Sequence, residues 1–202
     1  MTHRISALFA TGRRPRRFLV LAGLGVGLLC PPQLFAQATS SPKPQARAVM
    51  WINPLAFLAG DPSVTTTFNA VNSGVGSGLS GLIIQSKTLG DTASGGGNKV
   101  VEVGLQVPPR WLLKGVRVCY ELSNPRSFIS QLRLSQLQDP PASASVMLDD
   151  GTDLNATGPK CSDSQPASID PAKGAVFLSL RVSFADVTDR IVVRGVGLHL
   201  AQ

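Results

Sequence analysis

Apolar and polar residues alternate along much of the chain from residue 49 onward. The segment NKVVEVGLQVP places Val101, Val103, Leu105 and Val107 on one face, and KGVRVCYELS and GAVFLSLRVSF repeat the same period of two. Such alternation is typical of strands in an antiparallel sheet that buries one face. The connecting segments are rich in Gly, Pro, Asn and Asp, which favour turns. The pattern predicts an all-β protein with roughly eight to ten strands.

The last apolar run, DRIVVRGVGLHL, changes parity once, between Val193 and Val196. A β-bulge near Gly195 would return its apolar residues to one face. The glycine- and serine-rich stretch 65–82 predicts a poorly packed edge strand or a loop. Because no long helical pattern follows residue 49, we expect an antiparallel β-sandwich of jelly-roll type.

The first 38 residues follow the three-part order of a secretory signal peptide. Five arginines precede an apolar run at 18–30, and Ala36 and Ala38 occupy the small-residue positions before a cleavage site. The run has 13 residues, whereas a membrane-spanning helix needs about 20. We therefore expect cleavage after Ala38, export to the periplasm or the medium, and no transmembrane segment in the mature chain.

Removal of the signal peptide changes the charge of the chain. All 12 acidic residues but only 14 of the 19 basic residues lie after residue 38, so the net charge falls from +7 to +2. A basic surface for nucleic acid is therefore not expected. The predicted organisation is a signal peptide at 1–38, a flexible Pro/Ser-rich leader at 39–48 and a single β-sandwich domain at 49–202.

Four segments share a layout with a wider group of proteins. VPPRWLLKGVRVCYELS, SFISQLRLSQLQDPP, IDPAKGAVFLSLRVSF and DRIVVRGVGLHL together resemble exported bacterial proteins and phage-like appendages of unassigned function. In that layout a strand ends at a proline turn, a G-V-x-V-x-Y strand follows, and a D-x-I-x-I-x-G-V strand closes the domain. The resemblance covers residues 100–200 approximately. It implies a β-sandwich or jelly-roll fold and carries no catalytic signature.

Two cysteines remain once Cys30 leaves with the signal peptide, and they are Cys119 and Cys161. In an oxidising compartment such a pair predicts a disulfide. Cys119 lies on a predicted strand, whereas Cys161 lies in a polar, turn-rich segment. Because few large apolar residues occur between Gly151 and Pro171, we expect the bond to hold a loop over an outer sheet face.

The segment VMLDDGTDLNATGPKCSD is a candidate metal site because it contains Asp149, Asp150 and Asp153. A calcium loop places oxygen ligands at alternate positions and adds a distal glutamate, and this spacing differs. Asp-Gly at 150–151 instead favours a turn. We predict a turn and no metal or other cofactor, and calcium near Asp149 stays an open alternative.

Candidate catalytic residues are few. His199 is the only histidine after the signal peptide, and no G-x-S-x-G nucleophile motif accompanies it. Glu102 and Glu121 lie on outer faces of consecutive predicted strands. If Val107 faces Lys114 across the turn, the two carboxylates are diagonal neighbours about 7–8 Å apart, within the range that glycosidases use. A carbohydrate-active enzyme that uses these glutamates is therefore the alternative to a protein without catalysis.

Two tryptophans are candidates for binding. Trp111 follows a double proline at a strand end, where its indole either contacts a ligand or covers the end of the core. Trp51 lies in the apolar run MWINPLAFLAG and predicts a core position or a subunit contact. Together the observations predict an exported, non-catalytic binding or structural β-sandwich, with a carbohydrate or a protein of the cell envelope as its partner.

Overall fold

The computed structural model describes residues 46–76, 80–138 and 143–202. Within these ranges lie eleven β-strands and two short 3-10 helices, Pro54–Ala56 and Pro171–Lys173. The strands are β1 (Arg47–Ile52), β2 (Leu58–Ala59), β3 (Val64–Phe68), β4 (Leu82–Ser86), β5 (Val100–Leu105), β6 (Leu112–Leu122), β7 (Phe128–Gln138), β8 (Ala144–Asp150), β9 (Lys160–Asp163), β10 (Gly174–Ser183) and β11 (Ile191–Ala201). The predicted all-β class is confirmed.

The strands form two antiparallel sheets. Sheet A has the order β3-β4-β11-β6-β9, with β1 also paired to β11, and sheet B has the order β2-β5-β10-β7-β8. Among the described strands, only β3–β4 and β7–β8 are consecutive strands of one sheet. All other connections cross between the sheets, and β4-β11-β6-β9 facing β5-β10-β7-β8 is the arrangement of a jelly roll. The jelly-roll prediction is therefore confirmed.

The central strands of the two sheets are the last two described strands of the chain. In sheet A, β11 pairs with β6 along its length, with β4 at residues 191–193 and with β1 at residues 196–201. In sheet B, β10 pairs with β5 on one side and with β7 on the other. Every other strand is therefore joined to its sheet directly or indirectly through β10 or β11.

The core lies between the sheets and is built from the alternating residues. Burial of one such aliphatic side chain stabilises the fold by about 1.5–3 kcal/mol. On β11 the pairing register with β6 shifts between Val193 and Gly195, which is the predicted bulge, and Val196 and Leu198 beyond it are fully buried. The predicted inner-face residues are buried on β5, β6 and β10 and at the residue that follows β10: Val101, Val103, Leu105, Val116, Val118, Tyr120, Leu122, Val176, Leu178, Leu180, Val182 and Phe184.

The stretch 65–82 contains an edge strand and a loop, as its composition predicts. Its first residues belong to the edge strand β3, as expected. The following loop folds over the outer face of sheet A, where Val75 packs with Ile83 and Val192 in a second apolar cluster. Two outward-facing apolar residues on neighbouring strands need cover, and the loop supplies it. The prediction of poor packing therefore holds for exposed residues such as Phe68 and Val71, but not for Val75.

The disulfide between Cys119 and Cys161 is present. Cys161 is not in a loop, because it lies on the edge strand β9 directly opposite Cys119 on β6. Leu154 and Ile169, on either side of β9 in the chain, are both buried. The expectation of a loop held over the sheet by the bond is therefore wrong for Cys161, since strand pairing and burial also anchor this segment.

The predicted signal peptide and its cleavage site after Ala38 lie outside the described residues. β1 begins at Arg47, so Arg47 and Ala48, the last two residues of the predicted leader, belong to a strand. They pair with Ala201 and Leu200 of β11. No helix in the described part of the chain is long and apolar enough to cross a membrane.

Candidate binding face on sheet A

The first strand brings a tryptophan to the surface of sheet A. Alternation along β1 directs Met50 and Ile52 toward the core and leaves Val49 and Trp51 outside, with 42% and 55% of their surface exposed. Trp51 is therefore not a core residue, and that expectation was wrong. A subunit contact at Trp51 stays a prediction.

Two glycines of β11 provide a flat support for this indole. Trp51 is paired with Gly197. A Cβ atom added to Gly195 or to Gly197 would lie 3.4 Å from Cζ3 of the ring. At Gly197 the same atom would also come within 2.9 Å of Cγ1 of Val49. Since these positions lack side chains, the six-membered ring lies over the sheet and keeps much of its surface open to solvent.

Charged side chains lie beside Trp51 on the outer face of sheet A and form a row with it across neighbouring strands. The pairing across β1, β11, β6 and β9 places Trp51, Gly197, Arg117 and Asp163 side by side. Nε and Nη2 of Arg117 donate to the two carboxylate oxygens of Asp163 at 2.7 and 2.8 Å, and Nε2 of His199 lies 2.8 Å from Oδ1. This bidentate geometry fixes the plane of the guanidinium.

The same contacts determine the charges in the row. Hydrogen bonds from Arg117 and then from His199 hold the pKa of Asp163 well below its usual range. In return, the Asp163 carboxylate raises the pKa of Arg117. Both groups are therefore ionised at neutral pH and present donors and acceptors beside the indole.

A hollow of about 690 Å³ adjoins the row on the same face. Arg47 and Val49 of β1, Lys114 of β6 and His199 of β11 contribute to its lining. Nζ of Lys114 donates to Oγ of Ser168 at 2.8 Å, which orients the ammonium group. An apolar side chain with several convergent polar groups is the usual composition of a small-molecule site.

The outer face of sheet B is also polar, but its charged side chains are largely paired with one another. Arg133 binds Asp149 through two hydrogen bonds of 3.1 Å, and Oγ of Ser179 donates to Glu102 at 2.5 Å. These four residues form a row across β5, β10, β7 and β8. The hollow above them has about 290 Å³, and its lining contains no aromatic residue among those described.

The two glutamates proposed as a catalytic pair are not neighbours. Glu102 lies on β5 of sheet B, whereas Glu121 lies on β6 of sheet A. The connection that contains Pro108 and Pro109 crosses between the sheets instead of forming a hairpin. Sheets in a sandwich are about 10 Å apart, and both glutamates face outward from it. Glu121 is buried and bound to Arg194 at 2.6 Å, so the glycosidase hypothesis is wrong.

The aspartates of the candidate metal site point in different directions. Asp149 faces outward on β8 toward Arg133, and Asp150 is buried, where its carboxylate accepts hydrogen bonds from the N–H groups of Thr152 and Gln165. Burial opposes ionisation of Asp150, but these bonds lower its pKa. Within residues 46–76, 80–138 and 143–202, no three His, Cys, Asp or Glu side chains are placed to hold a metal ion.

Two other candidate residues, Trp111 and His199, lie outside the row formed by Trp51, Gly197, Arg117 and Asp163. Trp111 is half-buried and packs against the core, and its role as a ligand-binding residue stays a prediction. His199, for which the sequence showed no catalytic partner, lies in the lining of the hollow and contacts Asp163. The signal that sequence reasoning missed was the spacing of Gly195 and Gly197, which leaves room for an aromatic ring.

No family model matches the chain, and no curated protein is detectably similar to it. Its fold has distant counterparts among solved structures. One contains the CBM22-1 and GH10 modules of a Clostridium thermocellum xylanase 10B in complex with xylohexaose, with a TM-score of 0.44, 13% identity, and coverage of 75% of this chain and 27% of that one.

A second structure is described as a carbohydrate-binding module of the β-sandwich superfamily, with a TM-score of 0.43, 12% identity, and coverage of 68% of this chain and 54% of that one. A third is a xylan-binding domain of CBM22, with a TM-score of 0.40, 10% identity, and coverage of 71% and 86%. The chain thus spans about a quarter and about half of the first two proteins. None of the TM-scores reaches 0.5, so this likeness carries no functional assignment.

Proposed function

We propose that the chain is an exported, non-catalytic protein that binds carbohydrate through the outer face of sheet A. The observation that carries the proposal is the exposed indole of Trp51, supported from below by two glycines and continued by the Arg117–Asp163 pair. A pyranose ring has an apolar face of C–H groups, which packs well on an aromatic ring. Its hydroxyl groups require donors and acceptors at the edge, and the ion pair provides both.

Export is supported by two independent features. The disulfide Cys119–Cys161 is of the kind that persists in oxidising compartments. The first 38 residues have the composition of a signal peptide. A disulfide-linked sandwich with an exposed aromatic platform is suited to ligands of the cell envelope or the surrounding medium.

The test compares two exposed apolar side chains on opposite sheets. Purified exported protein is screened by affinity electrophoresis against soluble polysaccharides, and the best ligand is measured by calorimetry. Trp51→Ala should weaken binding by tenfold or more, which corresponds to about 1.4 kcal/mol or more. Leu58→Ala is the matched control, because Leu58 is 74% exposed on sheet B and should leave binding unchanged.

Two results would contradict the proposal. The first is equal loss of affinity in both variants. The second is a native protein that binds no polysaccharide but forms a dimer that Trp51→Ala disrupts, since this result would assign the face to a subunit contact.

A further inference from the structure

The hollow beside Trp51 is lined by more positive than negative charge. Arg47 and Lys114 are cationic, His199 is a third basic group, and no acidic side chain of the described residues belongs to the lining. In the neighbouring row, both carboxylate oxygens of Asp163 already accept hydrogen bonds from Arg117. The acidic side chain nearest in the pairing scheme is therefore engaged by Arg117 and by His199. This leaves Arg47 and Lys114 as the cations without an acidic partner among the described contacts.

The contrast with sheet B shows that this excess is local. There, each arginine that lines the hollow is paired with an acid, Arg133 with Asp149 and Arg181 with Asp91. The mature chain has a net charge of only +2 if cleavage follows Ala38. A general excess of basic residues therefore does not account for the unbalanced charge around Arg47 and Lys114.

The cations and the indole belong to one continuous surface. Arg47, Val49 and Trp51 alternate along β1 on its outward side, and four residues of strand span about 13 Å. His199 is opposite Val49 and Gly197 is opposite Trp51 in the same antiparallel pair. A chain molecule that lies along β1 would therefore contact the indole and the basic hollow at the same time.

We propose that the ligand of this face is an anionic polysaccharide, whose sugar ring packs on Trp51 and whose charged groups bind Arg47 and Lys114. The inference rests on the proposed function, since it assigns the substrate class of the same face. The shared ligand chemistry is a charged oxygen group, either the carboxylate of a uronic acid or a sulfate ester. Arginine and lysine form charge-assisted hydrogen bonds with both.

The experiment uses pairs of polymers that differ only in charge. Calorimetry compares polygalacturonate with its methyl-esterified form, and dextran sulfate with dextran, using the exported protein at low salt and at about 0.15 M salt. The protein should bind one anionic polymer at least about tenfold more tightly than its neutral partner. The preference should decrease at the higher salt concentration, because exposed charges are screened. The polymer pair that shows the preference identifies carboxylate or sulfate as the recognised group.

Two double variants test the location of the site. Arg47→Gln with Lys114→Gln should bring the anionic polymer to the affinity of the neutral one. Arg126→Gln with Lys173→Gln removes the same charges from residues outside the hollow, both exposed, and should keep the preference. Thermal unfolding of both variants checks that the fold is intact.

The outcomes separate this inference from the proposed function. If the protein binds charged and neutral polymers equally well, and Trp51→Ala still abolishes this binding, the anionic ligand would be overturned. Carbohydrate binding by this face would remain in place. Equal loss of preference in both double variants would overturn the site, because it would indicate general charge attraction. Absence of binding to all four polymers, together with a negative result in the wider polysaccharide screen, would overturn both.

Discussion

The outer faces of the two sheets differ although their inner faces are alike. On sheet B, polar residues of neighbouring strands form closed pairs, such as Arg133 with Asp149. On sheet A, one end is covered by a loop that contacts the buried pair Glu121–Arg194. At the other end, the exposed ring of Trp51 packs over two glycines of β11. The charged side chains of the outer face of sheet B are therefore largely paired with one another, whereas sheet A combines a covered region with an exposed aromatic and basic one.

The difference shows how one sandwich separates stability from binding. An exposed aromatic ring beside an uncompensated basic hollow contributes little to folding, so its presence needs another explanation. The loop, the buried ion pair and the disulfide on the same sheet hold the neighbouring strands in place. Sheet A therefore has a rigid frame around a surface that is free to contact a ligand.

The largest expected effect concerns the buried ion pair. Side chains of Glu121 and Arg194 are 4% and 12% exposed, and Arg194 also donates to Ser73 and to the carbonyl oxygen of Val75. Glu121→Gln leaves a buried guanidinium without a counter-charge, so the free energy of unfolding should fall by about 3–5 kcal/mol. Urea denaturation measures this loss.

The corresponding change on sheet B is the control. Asp149→Asn removes the partner of Arg133 from an ion pair in which both side chains are more than one-third exposed. The expected loss of unfolding free energy is at most about 1 kcal/mol. Similar losses in both variants would show that the two faces do not differ in the way described.

The second effect concerns the disulfide. Replacement of Cys119 and Cys161 together by serine should lower the free energy of unfolding by about 2–4 kcal/mol, because the cross-link restricts the unfolded chain. The remaining sheet should persist, and β9 should separate from β6 more often. Limited proteolysis should then cleave faster between residues 155 and 166, while circular dichroism keeps its β signal.

Thiol labelling provides the check on this prediction. The native exported protein should have no reactive thiol after the signal peptide is removed. Labelling of two thiols would show that the bond does not form in the exported protein, and the argument for an oxidising compartment would lose its support.

The smallest effect is a dependence on pH. Arg117 and His199 lower the pKa of Asp163 in the folded chain. The ionised carboxylate therefore stabilises the fold above its unfolded pKa of about 4, and this contribution is lost progressively as the pH falls below that value. Asp163→Asn should reduce the decline in unfolding free energy between about pH 4 and about pH 2, relative to the wild type.

Asp153→Asn is the matched control for this measurement, because Asp153 is an exposed carboxylate outside the row. Its acid dependence should follow that of the wild type. If Asp163→Asn also follows the wild type, the interactions of Asp163 do not contribute to acid stability.

The sequence predicted the inward-facing side chains and the jelly-roll class, but not the order in which the strands pair. Alternation identifies which side chains of β5, β6 and β10 point inward, because each strand obeys the period of two independently of its partners. It does not show which strands pair. Glu102 and Glu121 were therefore placed on one sheet, although the prolines between them accompany a crossing to the other.

The binding face was harder to predict because its signal is divided between distant segments. The run around Trp51 is apolar on both sides, so its pattern does not show which side faces the core. Only the pairing with Gly197, about 150 residues away in the chain, explains the exposure of the ring. His199 and Asp163 are brought together in the same way, by strands that meet only in the folded sheet.

The position of the central strands determines when this chain can fold. β10 and β11 are the central strands through which the other strands of sheets B and A are paired, and they follow all the other described strands in the sequence. During synthesis, the earlier strands lack these partners until the chain from Gly174 onward has been made. Contacts of such long sequence separation form slowly. Neither sheet can therefore be completed before β10 and β11 are available to pair.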